Sequence, residues 1–258
     1  MTVRFSRPFF ALAAAAAMGL MPPVPARGQS ASGKAQDIPR LSNGKPDFNG
    51  VWDHPRVADV TKSSIACAAG SHGCSQQGSG ELPYTEWGLA QWKDVAHRFD
   101  YSAHCLPWGY SRAWQVEYPV EIVQTPQRLA LLFESNNIFH VVSTDGRDHP
   151  QNLDPTWMGN SVGKYEGDTL VIDTTGFNGK TWIDTAEHPS SDALHVVERM
   201  HYTDPQHLAY EITWEDPKTY TKPIKNTRVL TRMKPGEELM EYWCMENNKD
   251  LLEGHLSR

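Results

Sequence analysis

The chain is poor in the features that most readily mark a protein class. Outside its first twenty positions Ala/Leu/Glu/Lys runs are scarce, which excludes a coiled coil or helical solenoid. Beyond residue 30 no segment is apolar enough to cross a bilayer. Lysine and arginine number 24 against 31 acids, a net charge of −7. Nucleic acid and anionic membranes are therefore poor partners, because their affinity rests on a basic excess. No Walker A, G-x-G-x-x-G or H-E-x-x-H motif occurs, so neither a phosphate loop nor a zincin helix is marked. What is abundant is aromatic: 9 Trp, 9 Tyr and 8 Phe in 258 residues, with 19 Gly and 18 Pro between them. Aromatics on that scale need a core, which excludes a disordered acidic protein.

Residues 1–28 read as an export signal. Arg4 and Arg7 precede an apolar run over residues 8–20, and small residues follow near Ala26. Pro22, Pro23 and Pro25 make an anchor the weaker alternative. Removing this stretch takes away Arg4, Arg7 and Arg27 and no acid, so the charge falls from −7 to −10. The expected location is periplasmic or secreted, without membrane attachment after cleavage. In an oxidising compartment Cys67, Cys74, Cys105 and Cys244 favour two disulfides over thiol chemistry. Three pairings are possible; the short glycine-containing loop favours Cys67 with Cys74 and, by remainder, Cys105 with Cys244. Zinc held by Cys67, His72 and Cys74 is the competing reading, weakened by the lack of a second ligand pair at metal spacing.

Residues 29–115 read as an irregular, turn-rich segment with one helix over 85–98, capped by Thr85. From 116 to 258 the pattern becomes short runs broken by turn formers, with strands expected at 121–125, 129–134, 138–144, 161–165, 169–175, 194–203, 208–215, 227–233 and 239–245. Glu166-Gly167-Asp168 is a hairpin signal. The fold class predicted is mainly β: an antiparallel up-and-down, lipocalin-like barrel, with a two-sheet β-sandwich as the alternative. Phe48-Asn49-Gly50-Val51-Trp52 is similar to the G-x-W of lipocalin-type barrels, with Trp52 as a core plug.

Alternation along strands picks out acids in phase with apolar residues. Glu198 shares a face with Leu194, Val196, Met200 and Tyr202, whereas His195 and Arg199 share the other. Glu134 falls with Ala130 and Leu132, Asp173 with Val171, Glu246 with Tyr242, and Glu241 with Trp243. Desolvation would make such carboxylates usable acids or bases; the alternative is an ion pair with Arg147, Arg199, Arg228 or Arg232. The turn Asp145-Gly146-Arg147-Asp148-His149-Pro150 brings acid, cation and imidazole together. His188 and His195 bracket residues 189–194, with Glu198 close behind, so a His188/His195/Glu198 metal trio is a further option. The candidate catalytic residues are thus His149, His195, Glu198 and Glu134, with Arg147, Arg199, Trp157, Tyr165, Trp182 and Tyr220 binding substrate. Gly159-Asn160-Ser161-Val162-Gly163 fits G-x-S-x-G, but a hairpin follows it where a nucleophile elbow needs a helix.

Several blocks resemble a family of exported bacterial proteins: T-D-G-R-x-H-P at 144–150, W-x-G-x-S-x-G-x-W/Y-E-G-D-T-L-V-V/I-D-T-x-G-F at 157–177, T-W-x-D at 181–184, E-R at 198–199, D-P-x-x-Y-T-x-P at 216–223 and E-Y-x-C-x-E-N at 241–247. Residues 46–52 and 105–109 also look like family segments. Ser190-Ser191 stands where the family has His-Ser, and Phe139-His140 where it has an arginine pair. The resemblance implies one domain and a Cys105–Cys244 bridge, and names no reaction. The function expected from the residues is acid–base catalysis without an organic cofactor (lyase, isomerase or hydrolase) on a small cyclic or aromatic molecule. A non-catalytic carrier of an apolar ligand is the alternative, and a metal-dependent hydrolase or oxidoreductase the second.

Overall fold

Glycine at a tight turn sets the clearest register in the chain. In the computed structural model, which describes residues 37–95, 98–246 and 248–254, Glu166 pairs with Thr169, and Gly167 takes φ +62° between them. That conformation is nearly free for glycine and strained for other residues, so the expected hairpin forms there. The export signal expected at 1–28 lies outside the described residues. Among the described residues no helix is long and apolar enough to cross a membrane.

The elements run β1 (Gly50–Asp53), β2 (Ser75–Gln77), α1 (Glu86–Lys93), α2 (Tyr110–Ala113), β3 (Val120–Gln124), β4 (Arg128–Phe133), β5 (Ile138–Ser143), β6 (Asn160–Glu166), β7 (Thr169–Thr175), β8 (His195–Asp204), β9 (His207–Glu215), β10 (Ile224–Arg232) and α3 (Lys249–Leu252). Strands β3 to β10 follow one another round a barrel, and β1 closes it by pairing with both β3 and β10; β2 adds to β10 as an extra strand. The expected barrel is therefore present, with three corrections. Its closing strand comes from the N-terminal segment rather than from 116–258. Strands β5 and β6 are parallel, and residues 144–159 supply the long crossover that such a pair requires. Finally, residues 239–245 form no strand, because β10 already has β9 on one edge and β1 and β2 on the other. This last segment is instead tied down by Cys105–Cys244, by Asn137 Nδ2 donating to the Tyr242 carbonyl at 2.8 Å, and by Met240 N donating to Glu134 Oε2 at 2.9 Å.

Both disulfides pair as expected, with Cα separations of 5.0 Å for Cys67–Cys74 and 5.4 Å for Cys105–Cys244. Cys67 and Cys74 are thereby removed as zinc ligands. The long loop closed by the second bridge restricts the unfolded chain most. Both bridges fit an oxidising environment.

The lumen is filled. Alternate residues of β7, β8 and β9, including Leu170, Ile172, Val196, Met200, Tyr210, Ile212 and Trp214, point inward and are buried. Helix α2 enters between them as a plug: Tyr110, Ala113 and Trp114 are fully buried, and Trp114 packs tilted on Tyr210 at 4.8 Å and edge-on against Phe133 at 5.3 Å. Trp214 Nε1 donates to Ser111 Oγ at 2.7 Å, and Ser111 Oγ donates to the Ile183 carbonyl at 2.8 Å, locking α2 to the outer loops. Trp52 is fully buried and plugs the core as expected.

Helix α1 ends at Lys93, earlier than expected. Its start is fixed by Thr85, whose Oγ1 accepts from Gly88 N at 3.0 Å, the standard N-cap arrangement. Thr85 N also donates to the Thr219 carbonyl at 2.9 Å, and Gly88 lies so close to that carbonyl that no Cβ fits. The helix is thus seated on the loop after β9, with Trp92 carried outward.

Candidate functional site

Between β7 and β8 the chain makes a tight turn at residues 184–188. Glu187 takes φ +68°, an uncommon conformation for a non-glycine residue, and returns His188 onto Asp184. Asp184 then accepts three hydrogen bonds: His188 N to Oδ1 at 3.2 Å, His188 Nδ1 to Oδ2 at 2.6 Å, and Val60 N to Oδ2 at 2.8 Å. Asp184 is fully buried and His188 nearly so. A neutral imidazole facing a carboxylate through Nδ1 carries its proton there, which leaves the Nε2 lone pair free.

His188 lines a cleft of about 490 Å³ together with Asp59, Lys62, Leu82, Tyr84 and Trp92. Trp92 stacks on the imidazole at 4.5 Å, and Tyr84 stacks on Trp92 at 6.3 Å. The Tyr84 hydroxyl is buried without a hydrogen-bond partner. Burial, then the negative charges of Asp184 and Asp59, push its pKa upward, so it remains a donor. A buried hydroxyl without a protein acceptor is costly, and this one can donate to an oxygen placed in the cleft. Donor atoms of Asp59, Asp184 and His188 lie within 4.8 Å of one another, a possible cation triad. Against that use, Asp184 is already committed to three donors, and Asp59 Oδ1 accepts from Thr61 N at 2.8 Å and Thr61 Oγ1 at 2.5 Å.

The residues nominated from sequence fall into three places. Glu198 is fully buried in the lumen, where Tyr110 donates to Oε2 at 2.6 Å and Tyr210 to Oε1 at 2.5 Å. Burial raises its pKa to about 7, against the lowering effect of those hydroxyls and of Arg228. Nearby, His140 Nε2 meets Ser161 Oγ at 2.5 Å, and burial lowers the imidazole to about 4. Ser161 lies inside β6, so the G-x-S-x-G stretch is no nucleophile elbow.

His149 and His195 are not with Glu198. They lie on the outer wall, and both bring Nε2 to 3.0 Å from Asp173 Oδ1. Asp173 was a candidate for burial, yet its side chain is 42% exposed. Burial pulls the His195 pKa down, but hydrogen bonds to Asp173 and Glu215 outweigh it and the net shift is upward. Because His195 points outward and Glu198 inward, a His188/His195/Glu198 metal trio does not form.

None of the remaining nominees lines this cleft. Glu134 anchors Met240 N. Arg147 is exposed and paired with Asp145, and Arg199 with Glu166 at 2.6 Å. Trp182 lies under the Arg112 guanidinium at 5.0 Å, and Tyr220 donates to the Pro189 carbonyl at 2.7 Å. Tyr165 meets Gln124, far from the cleft, while Trp157 faces Tyr101 and walls a separate apolar groove. Asp184, Tyr84, Trp92 and Asp59 were missed from sequence. The available signal was an acid four residues before His188 in a turn.

No protein-family model matches the chain, and no curated protein matches it either.

Proposed function

We propose that this is an exported enzyme, periplasmic or secreted, that carries out acid–base chemistry on a small cyclic or aromatic molecule without an organic cofactor. The observation that carries this reading is the Asp184–His188 pair opening on an aromatic cleft beside an unpartnered hydroxyl. A planar substrate stacks on Trp92. His188 Nε2 removes a proton from carbon next to a carbonyl, and Asp184 stabilises the imidazolium formed. The Tyr84 hydroxyl donates to the oxygen on which charge develops. Returning the proton from His188 to another atom completes an isomerisation; loss of a leaving group completes an elimination.

The test is turnover of cyclic and aromatic carbonyl compounds by the purified protein, with and without chelator. His188→Gln is expected to lower kcat/KM about 10²–10⁴-fold with the circular dichroism spectrum unchanged, and Tyr84→Phe about tenfold without loss of stability. Full activity in His188→Gln would overturn the reading, and loss in chelator would transfer it to a metal held by Asp59, Asp184 and His188. A second reading, a carrier of an apolar ligand, draws on the groove of about 480 Å³ lined by Pro107, Ile138, Phe139, Trp157, Met158 and Trp243. There Trp157→Ala, rather than His188→Gln, would remove ligand binding.

A further inference from the structure

Arg112 stands on helix α2 between the buried Ser111 and Ala113, and lines a hollow of about 460 Å³ that shares no residue with the cleft. Among the described residues its guanidinium is hydrogen-bonded only through Nη1, which donates to Asp100 Oδ1 at 3.2 Å and to Ser102 Oγ at 2.7 Å. Asp100 Oδ1 also accepts from Ser102 N at 2.9 Å and Ser102 Oγ at 2.6 Å, so its ion pair with Arg112 is a single contact rather than a two-bond fork. The Arg112 Nε is buried without a protein acceptor, and so is Nε1 of Trp108, which lines the same hollow. Buried N–H groups left in this way are costly, and both of these can only donate.

We propose that this hollow is a second binding site, for a small aromatic carboxylate of the benzoate class. A carboxylate spans the Nε/Nη2 edge of a guanidinium with two parallel N–H···O bonds, the pairing that the planar arginine fork favours. Trp108 Nε1 donates to the same anion. The Arg112 guanidinium lies 5.8 Å from the Trp108 ring and 5.0 Å from the Trp182 ring, cation–π contacts that restrain it before any ligand arrives. Among the described residues lining the hollow Glu117 is the one acid, and it is paired with Arg56. The rest of the wall is apolar or aromatic, with Val57, Val116, Tyr118 and Tyr242, the two tyrosine rings packed at 5.0 Å. A flat ring covers such a wall, whereas a bare sulfate or phosphate leaves it wet.

The fold positions these groups in advance, which lowers the ordering cost of binding. Arg112 sits on the helix that Ser111 locks to Trp214 and to the Ile183 carbonyl. The Cys105–Cys244 bridge ties the segment that carries Trp108 to the one that carries Tyr242. Val57 and Ala58 line the hollow, and the next residue, Asp59, lines the cleft. Thr185 likewise lines the hollow, and its neighbour Asp184 holds His188 in the cleft. Thr185 Oγ1 donates to the Ala58 carbonyl at 2.8 Å, so residues 57–59 and 184–185 form a partition between the two sites. The carboxylate site does not depend on the chemistry of the cleft.

The experiment is calorimetric titration of the purified protein with benzoate, with the neutral benzamide and inorganic sulfate as comparison probes. One benzoate site is expected below about 10 mM, with benzamide and sulfate each roughly tenfold weaker or more. Arg112→Gln and Arg112→Lys should each weaken benzoate about tenfold or more, the lysine because a point charge cannot present two parallel N–H groups. Trp108→Phe keeps the ring and removes the N–H, and should weaken benzoate about three- to tenfold. It removes an unpaired donor, so urea unfolding should show no loss of stability, and this variant carries the test even where Arg112→Gln fails to fold. His188→Gln in the cleft and Trp157→Ala in the apolar groove should leave benzoate binding unchanged. Absence of binding at about 10 mM benzoate would overturn the proposal. So would equal binding of benzamide or sulfate, binding that survives Arg112→Gln, or binding that is lost in His188→Gln, which would assign the carboxylate to the cleft.

Discussion

The barrel lumen and the cleft outside it hold nearly the same chemistry. Each has a buried carboxylate, an imidazole and phenolic hydroxyls. In the lumen both oxygens of Glu198 accept from tyrosines, and Arg228 is spread over Asn226, Gln115 and the Trp114 carbonyl. In the cleft Asp184 is equally committed, but the Tyr84 hydroxyl has no partner and His188 keeps an uncommitted nitrogen above open space. Residue type does not separate a structural network from a reactive one. What separates them is leftover bonding capacity that solvent or substrate can reach.

The harshest way to probe this contrast is Glu198→Ala. It leaves the Tyr110 and Tyr210 hydroxyls without acceptors in a dry interior and opens a cavity, a loss of about 3–5 kcal/mol. Urea unfolding should report that loss, while turnover per folded molecule stays near wild type. Normal stability with abolished turnover would move the active site into the lumen.

A gentler probe uses pH. Burial raises Glu198 from 4.5 to about 7, so its contribution is full below pH 4.5 and is lost as pH rises toward 7. Burial lowers His140 from 6.5 to about 4, so its contribution runs the other way, growing from pH 4 to 6.5. Each amounts to about 3 kcal/mol at roughly 1.4 kcal/mol per pKa unit, so they largely offset in the wild type. Glu198→Gln removes only the falling contribution. Between pH 4.5 and 7 the stability of the variant should therefore gain about 3 kcal/mol relative to wild type, read from urea midpoints at both pH values. Parallel pH profiles would show that Glu198 does not titrate as its burial requires.

Local pattern carried the barrel staves and their faces. The period of two placed Glu198 inward and His195 outward, and Gly167 marked its hairpin. It did not reveal that α2 fills the lumen, because Tyr110 and Trp114 look like any aromatic pair in a turn-rich segment. Strand β1 is four residues long and flanked by turn formers, so apart from the G-x-W at 50–52 nothing local marks it; its pairing with β3 and β10 is wholly long-range. Residues 239–245 alternate like a strand but find no free edge. The cleft was hard to read for the same reason: Asp184 and His188 are neighbours in sequence, whereas Asp59, Tyr84 and Trp92 arrive from the N-terminal segment through the seat of α1.

The smallest expected effect lies one residue from the largest. Arg199 follows Glu198 on β8 but faces outward, and its ion pair with Glu166 has side chains 40% and 61% exposed. Water screens such a pair, and holding two long side chains together opposes its Coulomb gain. Arg199→Ala should therefore change unfolding free energy by about 0.5 kcal/mol, with turnover unaltered. An arginine that gripped substrate would raise KM without a matching change in stability, so a tenfold KM increase would restore Arg199 as a ligand contact. If only the small stability change appears, strand alternation alone accounts for a several-fold difference between adjacent positions, and the outer wall near Arg199 is framework.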